Sequence, residues 1–296
     1  MNANYVIVVD STTDLPPAKA EALGIEVIPY IFTMDGKEYY NHLDYRDLSV
    51  KDFYNALRAG KTASTTQVTI HRYMESWEPF LKEGKDVLYM CLSSALSKSY
   101  DQSVLAAREA AEAYPDRKVI TIDTKSASLG QGLLAQYASK ARAEGKSLEE
   151  NAAYMNEIIP RVQHWVMADD LHHLRRGGRV SGASAFIGTM LSVKPILTIL
   201  SDGKLAPIHK VRGRNKALAY FLDNMTEIGL NPKDQPIFIA HSDVPEFAEQ
   251  LKTMVAEKFG IKDFVINEIG PVIGAHTGPG TIALVYIGGK ERPKGN

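Results

Sequence analysis

Four segments of this chain gather hydroxyl groups, glycines and one histidine. They are Asp10-Ser11-Thr12-Thr13-Asp14, Ala63-Ser64-Thr65-Thr66-Gln67, Leu92-Ser93-Ser94-Ala95-Leu96-Ser97-Lys98-Ser99 and Gly274-Ala275-His276-Thr277-Gly278-Pro279-Gly280-Thr281. Each is placed where a strand is expected to end or a helix to begin. In an open α/β sheet, ligands collect at the carboxyl ends of the strands. Hydroxyls and helix-starting amides donate hydrogen bonds to an oxyanion. One such segment alone is an ordinary N-cap or turn; four together predict a shared anion site.

Enzyme signatures are missing or poorly placed. The chain has no GxSxG elbow and no GxxxxGK[ST] loop. Gly130-Gln131-Gly132-Leu133-Leu134-Ala135 fits GxGxxA but begins seven residues past Asp123. That is too late for the tight strand-to-helix turn a dinucleotide needs, so we read it as a helix with small residues for close packing. His172 and His173 are adjacent and would diverge by about 100° on a helix. With no HExxH or CxxC beside them, no metal is expected. The single cysteine, Cys91, sits in an apolar run and reads as a buried small hydrophobe. Arg175-Arg176-Gly177-Gly178-Arg179 is the dense cationic cluster. It is either a solvated helix end before a glycine cap or a surface for phosphate or an acidic partner.

The elements that must position these groups alternate like βαβ units in the first half. Strands are predicted at 5–9, 26–32, 87–91 and 119–122, and helices at 50–58, 70–82, 101–114 and 130–143. Ser49 with Asp52 and Ser147 with Glu150 have capping-box spacing. The strand runs are unbroken, which predicts a mainly parallel sheet buried on both faces. In the second half, strands are predicted at 162–168, 196–200, 205–211, 237–240, 264–268 and 281–287. Helices there are predicted at 171–176, 183–191, 216–228 and 245–259. Ser201-Asp202-Gly203-Lys204 supplies a hairpin turn. The expected class is therefore α/β in two domains: a three-layer α/β/α unit over 1–160, and an α/β unit with a mixed sheet over 161–296.

The chain's 296 residues suffice for two domains with real cores. A net charge of -1 gives no bulk attraction to nucleic acid or anionic membrane. No run approaches the roughly 18 apolar residues that span a bilayer, and Met1-Asn2-Ala3-Asn4 lacks a basic leader. A cytoplasmic monomer is expected, without nucleic-acid partner or membrane insertion.

The ordered set of motifs resembles the DegV family. Val8-Val9-Asp10-Ser11-Thr12-Thr13-Asp14-Leu15, Thr65-Thr66-Gln67, residues 92–100, Gly177-Gly178-Arg179-Val180-Ser181, Lys210-Val211-Arg212-Gly213 and His276-Thr277-Gly278-Pro279-Gly280-Thr281 carry the likeness. It runs from about residue 5 to 287. Thr66 and Val68 depart from the family's Ser and Pro around Gln67, and Lys98-Ser99 replace its Gly-Thr after Ser97.

The resemblance implies a protein without turnover of its own, holding a long-chain fatty acid of the palmitate or oleate class in a tunnel. A separate ATP-binding fatty acid kinase subunit would phosphorylate the acid. Thr65, Ser97 and His276 would lie at the carboxyl group, with Ser64, Ser94 and Thr277 as further donors. Arg179, with Arg176, would face the partner and the transferred phosphoryl group. No catalytic residue and no cofactor other than the bound acid is implied. The competing reading is a small-molecule kinase or hydrolase with His276 as base and a serine as nucleophile. A DNA-associated regulator is a third reading, disfavoured by the charge balance.

Overall fold

The computed structural model describes residues 4–169, 171–180 and 193–295. The first half runs β1 (Tyr5–Asp10), α1 (Pro17–Ala22), β2 (Ile25–Ile28), β3 (Tyr30–Met34), β4 (Lys37–Asn41), α2 (Val50–Arg58), β5 (Ala63–Thr66), α3 (Ile70–Lys82), β6 (Asp86–Cys91), α4 (Ser99–Ala113), β7 (Val119–Asp123), α5 (Leu129–Ala143) and α6 (Leu148–Ile158). The second half adds β8 (Val162–Met167), α7 (Leu171–Gly177), β9 (Val193–Ile199), β10 (Leu205–Arg212), α8 (Arg214–Ile228), β11 (Ile237–His241), α9 (Pro245–Phe259), β12 (Phe264–Glu268), α10 (Pro271–Thr277) and β13 (Ile282–Ile287). The helix predicted at 183–191 lies outside the described residues, as do Ser181 and the His172 side chain.

β2, β1, β6 and β7 form a parallel sheet in that order. Alternate residues of β1 enter opposite cores. Ile7 and Val9 pack with α5 and α6 residues such as Leu133 and Met155. Val8 packs with Phe53, Tyr73 and Trp77 of α2 and α3. Both faces are covered, which is why the strand sequence is apolar without alternation.

A second sheet, β4-β3-β5, is antiparallel and was not expected from the sequence. The run predicted as one strand over 26–32 is cut at Pro29. Proline has no amide proton for the ladder, so β2 stays in the parallel sheet while β3 starts the new one. Asp35 and Gly36, both with positive φ, turn β3 into β4.

The second half builds a six-stranded mixed sheet in the order β10-β9-β8-β13-β11-β12. Only β11 and β12 pair in parallel. One face of this sheet packs on α8 and α9, where Leu251 and Val255 are fully buried. The other face contributes Phe238, Ala240 and Val285 to the same core as α5. Helix α5 is thus wedged between the two large sheets, which explains its small residues. A Cβ on Gly132 would stand 2.9 Å from Leu15 Cδ2 and 3.2 Å from the Thr13 carbonyl. Among the described residues, no helix is long and apolar enough to cross a membrane.

Candidate functional site

Thr65 sits within β5, opposite Phe32 of β3, and not at a strand end as its segment's composition implies. Ser97 lies in the loop between β6 and α4. Its hydroxyl donates to Ser99 Oγ at 3.0 Å and accepts the Ser99 amide at 3.2 Å. Ser99 Oγ also accepts the Val68 amide at 3.1 Å, fastening this loop to the chain after β5. His276 occupies the last turn of α10.

The first half fixes α10 from below. The amide of Gly270, the residue that precedes the first turn of α10, donates to Asp14 Oδ1 at 3.0 Å. The Tyr54 hydroxyl reaches the Ile269 carbonyl at 2.7 Å and Ser242 Oγ at 2.9 Å. So placed, His276 brings Nε2 to 2.9 Å from Thr65 Oγ1, although 211 residues separate them. Its other nitrogen packs on Gly177: a Cβ there would meet Nδ1 at 2.5 Å. Only a glycine lets the end of α7 come so close. Burial, reinforced by the Arg179 guanidinium and only weakly opposed by the Gly177 backbone, pushes the imidazole pKa down to about 4. In the ligand-free chain His276 is therefore neutral.

Thr65, Ser97, His276 and Thr277 all line one cleft of about 1270 Å³, its open mouth included. Most of the remaining wall is apolar and comes from both halves: Leu92, Leu96 and Leu129 on one side, Val166, Ile199 and Val285 on the other. A second pocket shares Thr65 and His276 with this cleft and is also lined by Lys61, Ser64, Arg176 and Arg179. Arg179 is exposed and donates to the Gly177 carbonyl at 2.7 Å. Arg176 is exposed and lies 3.1 Å from His173 Nδ1. Thr65, His276 and Arg179 line both pockets, so the pair stands where an apolar cleft and a basic one meet.

Two of the additional donors expected from the sequence are not brought to the apolar cleft. Alternation along β5 turns Ser64 away from the face that carries Thr65. Ser94 gives its hydroxyl to Asp123 Oδ2 at 2.6 Å and its amide to Oδ1 at 3.1 Å. The segment Asp10–Asp14 does not open onto the cleft either. Its side chains are buried, and Asp10 accepts from the Leu92 amide at 3.1 Å and the Tyr89 hydroxyl at 3.0 Å. That segment builds the floor beneath the site. Sequence reasoning did not single out Tyr30 or Ser128, both of which line the cleft. No cluster of His, Cys, Asp and Glu among the described residues could hold a metal.

The match to known proteins is extensive. A family model described as an uncharacterised protein of the DegV family matches residues 4–289. The chain belongs to the DegV family. A DegV domain-containing protein of Clostridium perfringens is 42% identical over 289 residues, which cover 98% of this chain and 99% of that one. Among solved DegV structures, a lipid-binding protein from Thermotoga maritima superposes with a TM-score of 0.85 at 27% identity, covering 98% of this chain and 99% of that one. A DegV family protein from Thermus thermophilus, described by its fatty acid binding, gives 0.85 at 28% identity, over 96% and 99%. The DegV fold seen here, a parallel sheet and a mixed sheet sharing one helix, thus extends over nearly the whole of each relative.

Proposed function

We propose that this chain binds a long-chain fatty acid in the apolar cleft, with Thr65, Ser97 and His276 on its carboxyl group. The observation that carries this reading is the lining of one cleft: most of it is apolar, and Thr65, Ser97 and His276 all line it, the first and last sharing a hydrogen bond. Burying each methylene contributes roughly 0.8 kcal/mol, so about fourteen of them yield on the order of 11 kcal/mol before ordering costs. The tail supplies affinity; the polar end fixes direction, because a buried carboxylate without donors costs several kcal/mol. The fatty acid and lipid binding described for two DegV relatives supports the same ligand class.

The proposal extends to presentation. The carboxyl group would lie where the two pockets meet, and the basic pocket with Arg176 and Arg179 would receive a phosphoryl group delivered by a separate ATP-binding kinase subunit in the cytoplasm. The chain itself would be non-catalytic and need no cofactor besides the bound acid. Among the described residues no carboxylate reaches His276 Nδ1, which faces the Gly177 backbone, so none orients this imidazole as a general base requires. We read the chain as two domains, 1–160 and 161–296. Sheet membership supports this, since the parallel sheet ends at residue 123 and the mixed sheet starts at 162.

The direct test is organic extraction of the purified protein followed by mass spectrometry, where close to one fatty acid per chain is expected. An empty extract together with failure to take up added palmitate refutes the reading. Steady ATP consumption by the chain alone would favour the enzyme reading instead.

A further inference from the structure

Tyr30 is the first residue of β3 and is 2% exposed. Its phenol oxygen is buried, and among the described residues no partner stands within 3.5 Å of it in hydrogen-bonding geometry. The other buried tyrosines are each satisfied. Tyr5 reaches the Lys146 carbonyl, Tyr54 reaches Ser242 and Ile269, Tyr89 reaches Asp10, Tyr73 pairs with Tyr89, and Tyr286 accepts from Trp165. An orphaned buried hydroxyl loses its water without replacement and calls for an explanation. The tyrosine that is left unsatisfied is the one that lines the apolar cleft.

The register shows which end of the cleft it faces. β3 and β5 are antiparallel with Phe32 opposite Thr65. Side chains two apart on a strand share a face, so Tyr30, Phe32 and Thr65 lie on one side of this sheet. Tyr30 is then a diagonal neighbour of Thr65, a separation of about 7–8 Å between backbones that an aromatic side chain readily crosses. Burial raises the Tyr30 pKa and the Asp10 and Cys91 charges add to it, while the Ser99 and Ser97 hydroxyls oppose this as hydrogen-bond partners at longer than ordinary range. The phenol thus sits near Ser97, one of the groups assigned to the head group, and above the floor that Asp10 belongs to. The Tyr30 amide donates to Ser11 Oγ at 2.9 Å, which holds the strand at this point.

We propose that Tyr30 Oη donates a hydrogen bond to the carboxylate of the bound acid, a fourth side chain at the head group beside Thr65, Ser97 and His276. This inference rests on the fatty-acid reading. It adds selectivity: a phenol donor in a dry pocket favours an anionic acceptor over a neutral one, because bonds to charged groups are roughly twice as strong. A ligand with a carboxylate would be preferred over the alcohol of equal length.

The test compares Tyr30→Phe with the wild type after delipidation, titrating each with palmitate and with hexadecanol. Palmitate affinity should fall about tenfold in the variant, and hexadecanol affinity by less than about threefold. Ligand-free Tyr30→Phe should melt no lower than the wild type, since it removes a hydroxyl that has no partner in hydrogen-bonding geometry among the described residues. Palmitate affinity within twofold of wild type overturns the inference while leaving the fatty-acid reading intact. A ligand-free variant that melts several degrees lower also overturns it, by revealing a structural partner for the phenol. Absence of palmitate binding by the wild type defeats the fatty-acid reading and this inference together.

Discussion

The Thr65 hydroxyl and His276 Nε2 share one hydrogen bond of 2.9 Å, and through it a strand of the small antiparallel sheet meets the last turn of α10. When Nε2 carries the proton and donates to Thr65, the threonine hydroxyl proton is left free for a ligand; in the other tautomer Thr65 donates to Nε2 and neither group keeps a proton for a carboxylate. Thr65→Ala and His276→Ala should each weaken palmitate binding by about 1–3 kcal/mol. The double variant should lose less than the sum, because the two side chains act through one shared bond. Calorimetric titration of the three variants checks this; strictly additive losses would mean the two groups contact the ligand independently.

The same imidazole predicts a pH dependence of binding. Its pKa of about 4 lies below the ordinary 6.5. Stability from the neutral form is therefore complete above pH 6.5 and is lost as pH falls toward 4. A carboxylate arriving beside Nε2 favours the imidazolium and raises that pKa. Binding then takes up a proton, and affinity should increase as pH falls through the raised pKa of the complex toward about 4. Titrations in buffers of differing ionisation enthalpy read the uptake directly. Zero uptake at every pH down to about 4 would place the head group away from His276.

How much of this was legible in the sequence depends on what each residue pattern had to distinguish. The unbroken runs of β1 and β6 announce strands buried on both faces, and the structure buries them so. Helix α2 begins after Ser49, whose hydroxyl accepts the Asp52 amide at 3.1 Å, and α6 begins with the full Ser147–Glu150 capping box. The sheet β4-β3-β5 was not legible. Lys37-Glu38-Tyr39-Tyr40-Asn41 and Ala63-Ser64-Thr65-Thr66 carry almost none of the apolar alternation that marks a strand, since β4 is largely exposed and the half-covered face of β5 bears only Ala63 and Thr65. Helix α10 was equally hidden: Pro271 starts it, but Gly274 interrupts the pattern because Tyr54 Oη packs there, 2.5 Å from where a Cβ would be. At the site, Thr65, Ser97 and His276 stood out through the family's motif order. Tyr30 could not, because in the run Val27-Ile28-Pro29-Tyr30-Ile31-Phe32 a phenol reads as core.

Asp14 offers a second titration, of opposite sign. Burial is the main cause that raises its pKa, to about 7; hydrogen bonds from Ser128 and Gly270 oppose this, and the Asp10 charge adds to it. The folded chain keeps this proton up to about pH 7, whereas the unfolded chain releases it near 3.8. The associated stability is full below pH 3.8 and lost as pH rises through 7. Asp14→Asn is neutral throughout, retains an acceptor for the Gly270 amide, and suits the left-handed backbone at φ 50. The difference in Tm, variant minus wild type, should therefore increase between about pH 4 and 7. A difference that stays flat across that range contradicts a protonated Asp14.

The GxGxxA stretch of α5 is a packing device, and its substitution should show this. Gly132→Ala forces a Cβ against Leu15 and the Thr13 carbonyl, and overpacking of this kind costs about 1–3 kcal/mol. A drop in Tm is expected, with no nucleotide-dependent change in melting for either protein. Stabilisation of the wild type by a dinucleotide would restore the cofactor reading.

Arg179 separates holding the acid from presenting it. The guanidinium is exposed at the rim of the basic pocket, and its charge helps keep His276 neutral. Arg179 also lines the apolar cleft, but Arg179→Ala leaves its hydrocarbon walls and the Thr65 and Ser97 hydroxyls in place, so palmitate affinity should stay within about threefold of wild type. Two other readouts should move. The His276 pKa should rise, because one of the causes that lowers it is gone, and an NMR titration of the imidazole reports that without any partner. Acyl-phosphate formation with an ATP-binding kinase subunit should fall by at least about tenfold, because a bidentate donor for the transferred phosphoryl group is lost. Undiminished phosphorylation with a shifted His276 titration would confine Arg179 to tuning the imidazole. An unshifted titration with lost phosphorylation would place its whole contribution in the basic pocket.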